Sequence, residues 1–261
     1  MDLSLKGKNA VVCGSSQGIG LAIAEELAQL GATCILLARN KESLQMATSK
    51  LDTAAGQTHA FEVADFSKME EVRTAIDAIV SKQPIHILIN NTGGPKAGLI
   101  TEAKEEGFIN AFNQHLINNH ILVKAVVPSM KEAGYGRIIN IISTSVKIPL
   151  PNLGVSNTIR GAVASWAKTM ANELGQFNIT VNNILPGLTQ TQRLESLIEN
   201  TAAKHHTSTE AVAKEMLETI PMKRFGDAHE LAAVAAFLAS PAASYVNGVS
   251  IPVDGGRTGS I

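Results

Sequence analysis

Lys8-Asn9-Ala10-Val11-Val12-Cys13 runs straight into Gly14-Ser15-Ser16-Gln17-Gly18-Ile19-Gly20, and Leu21-Ala22-Ile23 follows without a break. A short apolar run that ends in a glycine cluster reads as a buried strand leaving a sheet through a tight turn. Beyond the turn, apolar residues recur at helical spacing (Ile19, Ile23, Leu27, Leu30), and Gly31 stands where a helix would be capped. A strand, a glycine turn and a helix N-terminus together make a natural pyrophosphate site. Glycines let the backbone approach the phosphates, and free N–H groups and the helix dipole favour negative charge. The spacing here is Gly-x-x-x-Gly-x-Gly, not the Gly-x-Gly-x-x-Gly of the usual dinucleotide fingerprint. Taken alone it also fits an ordinary tight strand–helix connection; its place after the first strand favours the phosphate reading.

Working outward, strand and helix patterns alternate along the chain. Strands are expected at Thr33–Ala38, His59–Val63, Ile85–Ile89, Arg137–Ile142, Ile179–Ile184 and Val249–Val253. Helices are expected at Lys41–Thr53, from Ser67 to about Lys82, as one long segment over Lys104–Glu132, at Asn157–Leu174 and at Asp227–Leu238. Ser67 and Glu70 have the spacing of a capping box. Thr191–Thr219 is polar and helix-prone with little apolar periodicity. Such alternation predicts right-handed crossovers and one parallel sheet with helices on both faces, in a single domain over residues 1–261.

Composition narrows the function classes. Among 261 residues, Lys plus Arg number 22 and Asp plus Glu 23, so the net charge is −1. That balance removes the electrostatic case for a nucleic-acid or anionic-membrane binder. Hydrophobic residues make up 45 % and aromatics only 4 %, which suits small and branched side chains packed on a parallel sheet. The two cysteines, Cys13 and Cys34, lie in apolar runs and read as buried strand residues rather than a staple or a metal site. No apolar stretch is long enough to span a membrane, and Met1-Asp2-Leu3-Ser4-Leu5-Lys6-Gly7-Lys8 lacks a signal-peptide pattern, so a cytoplasmic protein is expected.

Several further motifs follow in order. Asn90-Asn91-Thr92-Gly93 closes the fourth strand, Pro186-Gly187-Leu188-Thr189-Gln190-Thr191 follows the sixth, and Arg224-Phe225-Gly226, Phe237-Leu238-Ala239-Ser240 and Val253-Asp254-Gly255-Gly256 mark the C-terminal part. With the glycine turn, these resemble the short-chain dehydrogenase/reductase family from about Leu5 to Gly256, most closely proteins similar to 3-oxoacyl-acyl-carrier-protein reductase. The resemblance implies a Rossmann-type, doubly wound, seven-stranded parallel α/β sheet. It also implies a substrate lid at about 191–219, a homotetramer or homodimer built on the long helices and the last strand, and a small carbonyl or alcohol substrate.

It further implies a nicotinamide coenzyme held by Gly14, Ser16, Gln17, Gly18, Ile19 and Gly20 at its diphosphate. Asp65 would lie at the adenine, Asn91 and Gly93 would also contact the coenzyme, and Pro186, Gly187, Leu188 and Thr191 would stand at the nicotinamide. The second strand ends Leu37-Ala38-Arg39-Asn40, without the acid that would hold the 2′-hydroxyl of NAD(H). Arg39 suits a 2′-phosphate, which favours NADP(H) over NAD(H); a solvated loop charge is the alternative.

The usual family tetrad is Asn, Ser, Tyr and Lys, and here the sequence departs from it. Alignment on Gly136–Ser143 places Ser143 at the Ser position, Ser156 at the Tyr and Arg160 at the Lys; His115 falls near the Asn. A serine hydroxyl is a far weaker acid than a phenol, and Arg160 stays protonated at neutral pH. Arg160 can still bind ribose hydroxyls and stabilise oxyanion charge. His115 is the candidate proton donor or relay, with a hydrogen-bonded helix histidine as the alternative. Lys147, His205 and His206 are weaker candidates, better read as solvated. Tyr135 sits at the wrong end of the sheet, and Tyr245 is expected to be structural. Three functions stay open: an NADP(H)-dependent carbonyl reductase with an atypical site, a dinucleotide-binding sensor or scaffold that has lost turnover, or, as the weakest reading, an enzyme of another reaction class that holds NADP(H) only structurally.

Overall fold

The computed structural model describes residues 1–260. Seven strands, β1 (Asn9–Cys13), β2 (Thr33–Ala38), β3 (Ala60–Val63), β4 (Ile87–Asn90), β5 (Gly136–Ile141), β6 (Ile179–Pro186) and β7 (Ser250–Val253), form one parallel sheet in the order β3-β2-β1-β4-β5-β6-β7. This is the expected Rossmann-type α/β architecture. The chain winds outward from β1 to β3, then returns to place β4 on the other side of β1. The crevice between the carboxyl ends of β1 and β4, where the winding reverses, is where such sheets bind ligands.

Period-two burial divides the sheet between two helical layers. Val12, Leu36, Ile87, Ile89 and Ile139 pack on one face with α1 (Gly18–Gln29), α2 (Lys41–Ser49) and, further along the chain, Ala228–Ala239. Val11, Ile35, Leu37, Leu88, Ile138 and Val181 face the opposite layer, made of α3 (Met69–Val80), Asn118–Glu132 and Gly154–Leu174. Successive side chains on a strand point to opposite faces, so strands apolar throughout demand cover on both. Cys13 and Cys34 are buried and unpaired, and desolvation pushes both thiols up to about 12.

Three local expectations are corrected. The capping box at Ser67 does not form: α3 starts at Met69, and Lys68 at its N-cap makes no side-chain cap. The Asp65 carboxylate accepts the Ser67 N–H at 2.9 Å, and Glu71 accepts the Asp65 N–H at 3.0 Å. Charged acceptors make the stronger bonds to those donors. The segment Lys104–Glu132 is two helices, α4 (Glu105–Phe112) and α5 (Asn118–Glu132), joined by a widened π turn at Asn113–Ile117. Tyr245 is not structural in the sense of packed; its side chain is fully exposed.

The remaining helices are α6 (Gly154–Leu174), α7 (Gln192–His205), α8 (Thr209–Glu218) and α9 (Ala228–Ala239). Helix α6 begins earlier than the apolar pattern indicated, because Gly98 donates to the Asn152 carbonyl at 2.7 Å and anchors the approach. The polar insert at 191–219 folds as α7 and α8, with His205 and His206 exposed. Among the described residues, no helix is long and apolar enough to cross a membrane, and no cluster suits a metal ion.

Candidate active site

The glycine turn is built by close packing. Gly14 and Gly18 have φ of +59° and +60°, the left-handed region in which glycine is unstrained. The Ser15 hydroxyl donates to the Val12 carbonyl at 2.7 Å and accepts the Leu37 N–H at 3.1 Å, pinning the turn to β2. Asn91 lies on the turn, its amide donating to the carbonyls of Cys13 and Gly14 at 3.3 and 3.2 Å. A Cβ on Gly14 would meet the Asn91 carbonyl oxygen at 2.6 Å, and one on Gly20 would collide with the carbonyl of Gly14. Gln17 at the N-cap of α1 makes no side-chain cap, and no acid occupies the first turn. The first N–H groups of α1 are thus left without a side-chain partner.

From this turn a cavity of about 600 Å³ extends along the carboxyl ends of the strands. Gly14, Gln17, Gly18 and Ile19 line one end, Asn91, Thr92 and Gly93 the floor, and Ser143, Ser156 and Arg160 the far side. The wall opposite runs from Pro186, the last residue of β6, to Leu197. That segment is clamped: Gly187 donates to the Val253 carbonyl at 3.0 Å, Gly226 to Leu188 at 3.0 Å, and Gln190 to Gly226 at 2.8 Å. Arg224 chelates Glu230 with two bonds of 2.7 Å, and Glu230 accepts the Asp227 N–H at 2.8 Å to complete a capping box on α9. The C-terminal Arg-Phe-Gly motif therefore serves to hold the Pro-Gly loop.

Beneath the far side, side chains of Asn90, Asn140 and Asn183 stand at paired positions on β4, β5 and β6. Their amides form a ladder of 2.8 and 2.9 Å bonds, continued to Ser250 on β7 at 3.0 Å. The ladder ties together the strand ends that carry the site and leaves only the Asn90 Oδ1 without a partner.

Residues 14–258 match the family described as enoyl-(acyl carrier protein) reductase. The chain belongs to the short-chain dehydrogenase/reductase family. It is 36 % identical over 258 residues to the 3-oxoacyl-[acyl-carrier-protein] reductase FabG of Pseudomonas aeruginosa, covering 97 % of this chain and 98 % of that one. It is 32 % identical to the NADPH-dependent reductase BacG of Bacillus subtilis, covering 97 % and 99 %. The crystal structure of L-sorbose reductase from Gluconobacter frateurii, complexed with NADPH and L-sorbose, superposes with a TM-score of 0.94 at 32 % identity over the whole of both chains. With these relatives the protein is an NAD(P)-dependent oxidoreductase acting on a CH–OH or C=O group.

Within this family member, Ser143, Ser156 and Arg160 come together on one cavity wall. The Ser143 oxygen accepts the Ser145 N–H at 3.1 Å, which leaves its own proton free to donate. Ser156 and Arg160 are four residues apart on one face of α6. Arg160 is buried; its guanidinium donates to the carbonyls of Ile141 and Thr92 at 3.2 and 3.3 Å. Burial, then the positive charge of Arg193, brings it down to about 10, so it remains a cation at neutral pH. Arg39 is exposed at the end of β2, close enough to Asp65 to help hold that carboxylate low, although hydrogen bonds from Ser67 do more. Neither lines the cavity, nor do Ser16 and Gly20 of the turn. Lys147 is exposed. Tyr135 donates to the Ala239 carbonyl at 2.5 Å, away from the site.

His115, expected as a proton donor, is placed differently. It lies in the π turn, 1 % exposed, outside the cavity lining, with Nδ1 2.6 Å from the Thr92 hydroxyl and Nε2 without a partner. Burial, with the charges of Arg160 and Arg193, holds the imidazole down to about 3, so it is neutral where the enzyme works. Unfolded, the same group binds a proton below about 6.5. The unfolded chain takes up more protons between those values, so stability falls as pH drops through this window, by up to about 1.4 kcal/mol per pH unit from this group. Above about pH 6.5 the term is absent. His115→Gln is expected to flatten the dependence. Denaturant midpoints of both proteins at pH 7 and pH 5 check it, and equal slopes would refute it.

Sequence reasoning missed two participants. Thr92 was visible only as a member of its motif, not as the link between His115 and Arg160. Arg193 carried no signal, because nothing periodic in a polar insert marks which charge reaches the cavity.

Proposed function

We propose that the protein reduces a carbonyl group with NADPH, in the manner of a 3-oxoacyl reductase, at an atypical site formed by Ser143, Ser156 and Arg160. The observation that carries this reading is one continuous cavity with an uncapped helix N-terminus at one end and a serine proton beside a buried cation at the other. The residues fit a dinucleotide: the turn is too tight for any side chain at Gly14 or Gly20, and the bare first turn of α1 offers N–H groups to phosphate. Gly14 to Gly20 would hold the diphosphate, Arg39 the 2′-phosphate, Asp65 the adenine, and Asn91, Gly93 and the Pro186–Thr191 loop the nicotinamide end. When bound, that coenzyme supplies the hydride.

The chain's own residues orient the substrate and manage charge. Ser143 donates its proton in a hydrogen bond to the carbonyl oxygen. Arg160 holds a positive charge where negative charge develops on that oxygen, and binds ribose hydroxyls with its remaining donors. His115 acts through Thr92, fixing the carbonyl that orients Arg160; it is a positioning residue. The proton arrives from solvent by way of the Ser156 hydroxyl. The cytoplasm and a homo-oligomer complete the reading, the latter supported by exposed Ile109 and Phe112 on α4 and Val249 beside β7.

The test is loss of NADPH absorbance with a panel of ketones, quinones and 3-oxoacyl thioesters, with coenzyme binding followed separately by fluorescence. Ser143→Ala is expected to lower kcat about 10- to 150-fold, the worth of a hydrogen bond to a charged oxygen, with NADPH affinity unchanged. Tight NADPH binding with no turnover on any substrate would favour the second reading, a dinucleotide-binding sensor or scaffold. One observation supports that alternative: no Tyr, His, Lys, Asp or Glu side chain lines the cavity.

A further inference from the structure

Two guanidinium groups line the cavity and no carboxylate does. Arg160 bonds only to neutral carbonyls, and no ion pair among the described residues involves either arginine. The contrast lies within the same chain: Arg224, outside the cavity, is chelated by Glu230 at 2.7 Å. Arg193 stands on the first turn of α7, whose N-terminus carries no side-chain cap. Its guanidinium rests on Gly94, where any Cβ would lie 2.6 Å from Nη2. Glycine at that position is what admits the charged head.

The placement separates Arg193 from the phosphate end. Thr191 faces Gly18 of the turn, at 3.5 Å from where a Cβ there would be. Two residues on, Arg193 has turned to the chain leaving β4, and its charge is felt at Arg160 and His115. The two guanidinium groups share this cavity, Arg160 buried and Arg193 still open to solvent, and no ion pair neutralises either of them. A carboxylate matches the planar fork of an arginine with two parallel hydrogen bonds, and the positive end of the α7 dipole adds to the attraction.

We infer that the substrate is a carbonyl compound bearing a carboxylate, which Arg193 grips while Arg160 serves the reacting oxygen. This rests on the reductase reading above and adds the substrate class. The competing occupant for Arg193 is the coenzyme diphosphate.

The test uses the full-length protein loaded with NADP⁺, titrated calorimetrically with 2-, 3- and 4-oxo acids and with the matching amides. At least one acid is expected to bind tenfold or more tighter than its amide. Arg193→Gln should erase that preference while leaving the NADPH dissociation constant within about twofold, and Arg193→Lys should retain part of it. The melting temperature of each variant establishes that it is folded. Acids and amides binding alike throughout, a preference that survives in Arg193→Gln, or an NADPH affinity that falls as far as the acid's would each overturn the inference. If neutral ketones are still reduced by the wild type in such a case, the reductase reading stands and only the substrate class falls.

Discussion

Arg160→Gln is expected to lower kcat by about 10²–10³, the loss that follows removal of one preorganised oxyanion donor. The magnitude rests on where the charge sits. Arg160 is buried on α6, fixed by two carbonyls and raised against the cavity wall beside Ser156, so no solvent rearrangement is needed when charge develops in front of it. Glutamine keeps some of the volume and donates one hydrogen bond but carries no charge. Arg160→Lys restores the charge on a different geometry and should recover most of the rate. Because neither Arg160 nor His115 changes protonation near neutrality, kcat of the wild type should also be flat between about pH 6 and pH 8. Steady-state kinetics at saturating NADPH measure both. An unchanged kcat in the glutamine variant, with the variant folded, would remove Arg160 from the chemistry.

Arg39→Asp is expected to raise the NADPH dissociation constant about 10²-fold or more while altering that for NADH only a few-fold. Arg39 is exposed at the end of β2, at the point where an acid in this fold would take the ribose 2′-hydroxyl. Replacing it exchanges a charge-assisted contact with phosphate for repulsion, and truncating one partner of such a pair costs about 2–5 kcal/mol. Asp65 lies close by, so the new carboxylate would deepen the negative field at that spot. Fluorescence titration with the two coenzymes reads the ratio directly. A ratio that does not move would make Arg39 a solvated charge and return the coenzyme question to the rest of the cleft.

Much of the site was legible from residue order. The Gly14–Gly20 turn, the Asn91 motif and the Pro-Gly loop each announce themselves locally, because backbone demands such as a left-handed φ or a close approach admit few residue types. Ser143, Ser156 and Arg160 were placed by the family resemblance, aligned from Gly136–Ser143 and counted on at the family's spacing. His115 was left between a proton donor and a hydrogen-bonded helix histidine, and its position favours the second. Its burial against Thr92 and its neutrality depend on two arginines from other segments, and sequence spacing says nothing about such distances. The Ser67 capping box failed for a related reason: Asp65 and Glu71, flanking it, took the available donors first.

The sequence alone determined the alternation of strand and helix, the tight glycine turn after β1 and the identities of Ser143, Ser156 and Arg160, since period, glycine geometry and residue identity are local properties. Only the tertiary structure decided that Arg193 lies against Gly94 at the cavity edge, that Thr92 joins His115 to Arg160, and that the C-terminal motif clamps the loop opposite. Those contacts join segments far apart in the chain. Their meeting is set by the order of strands in the sheet and by how helices pack across it, which no window of sequence contains.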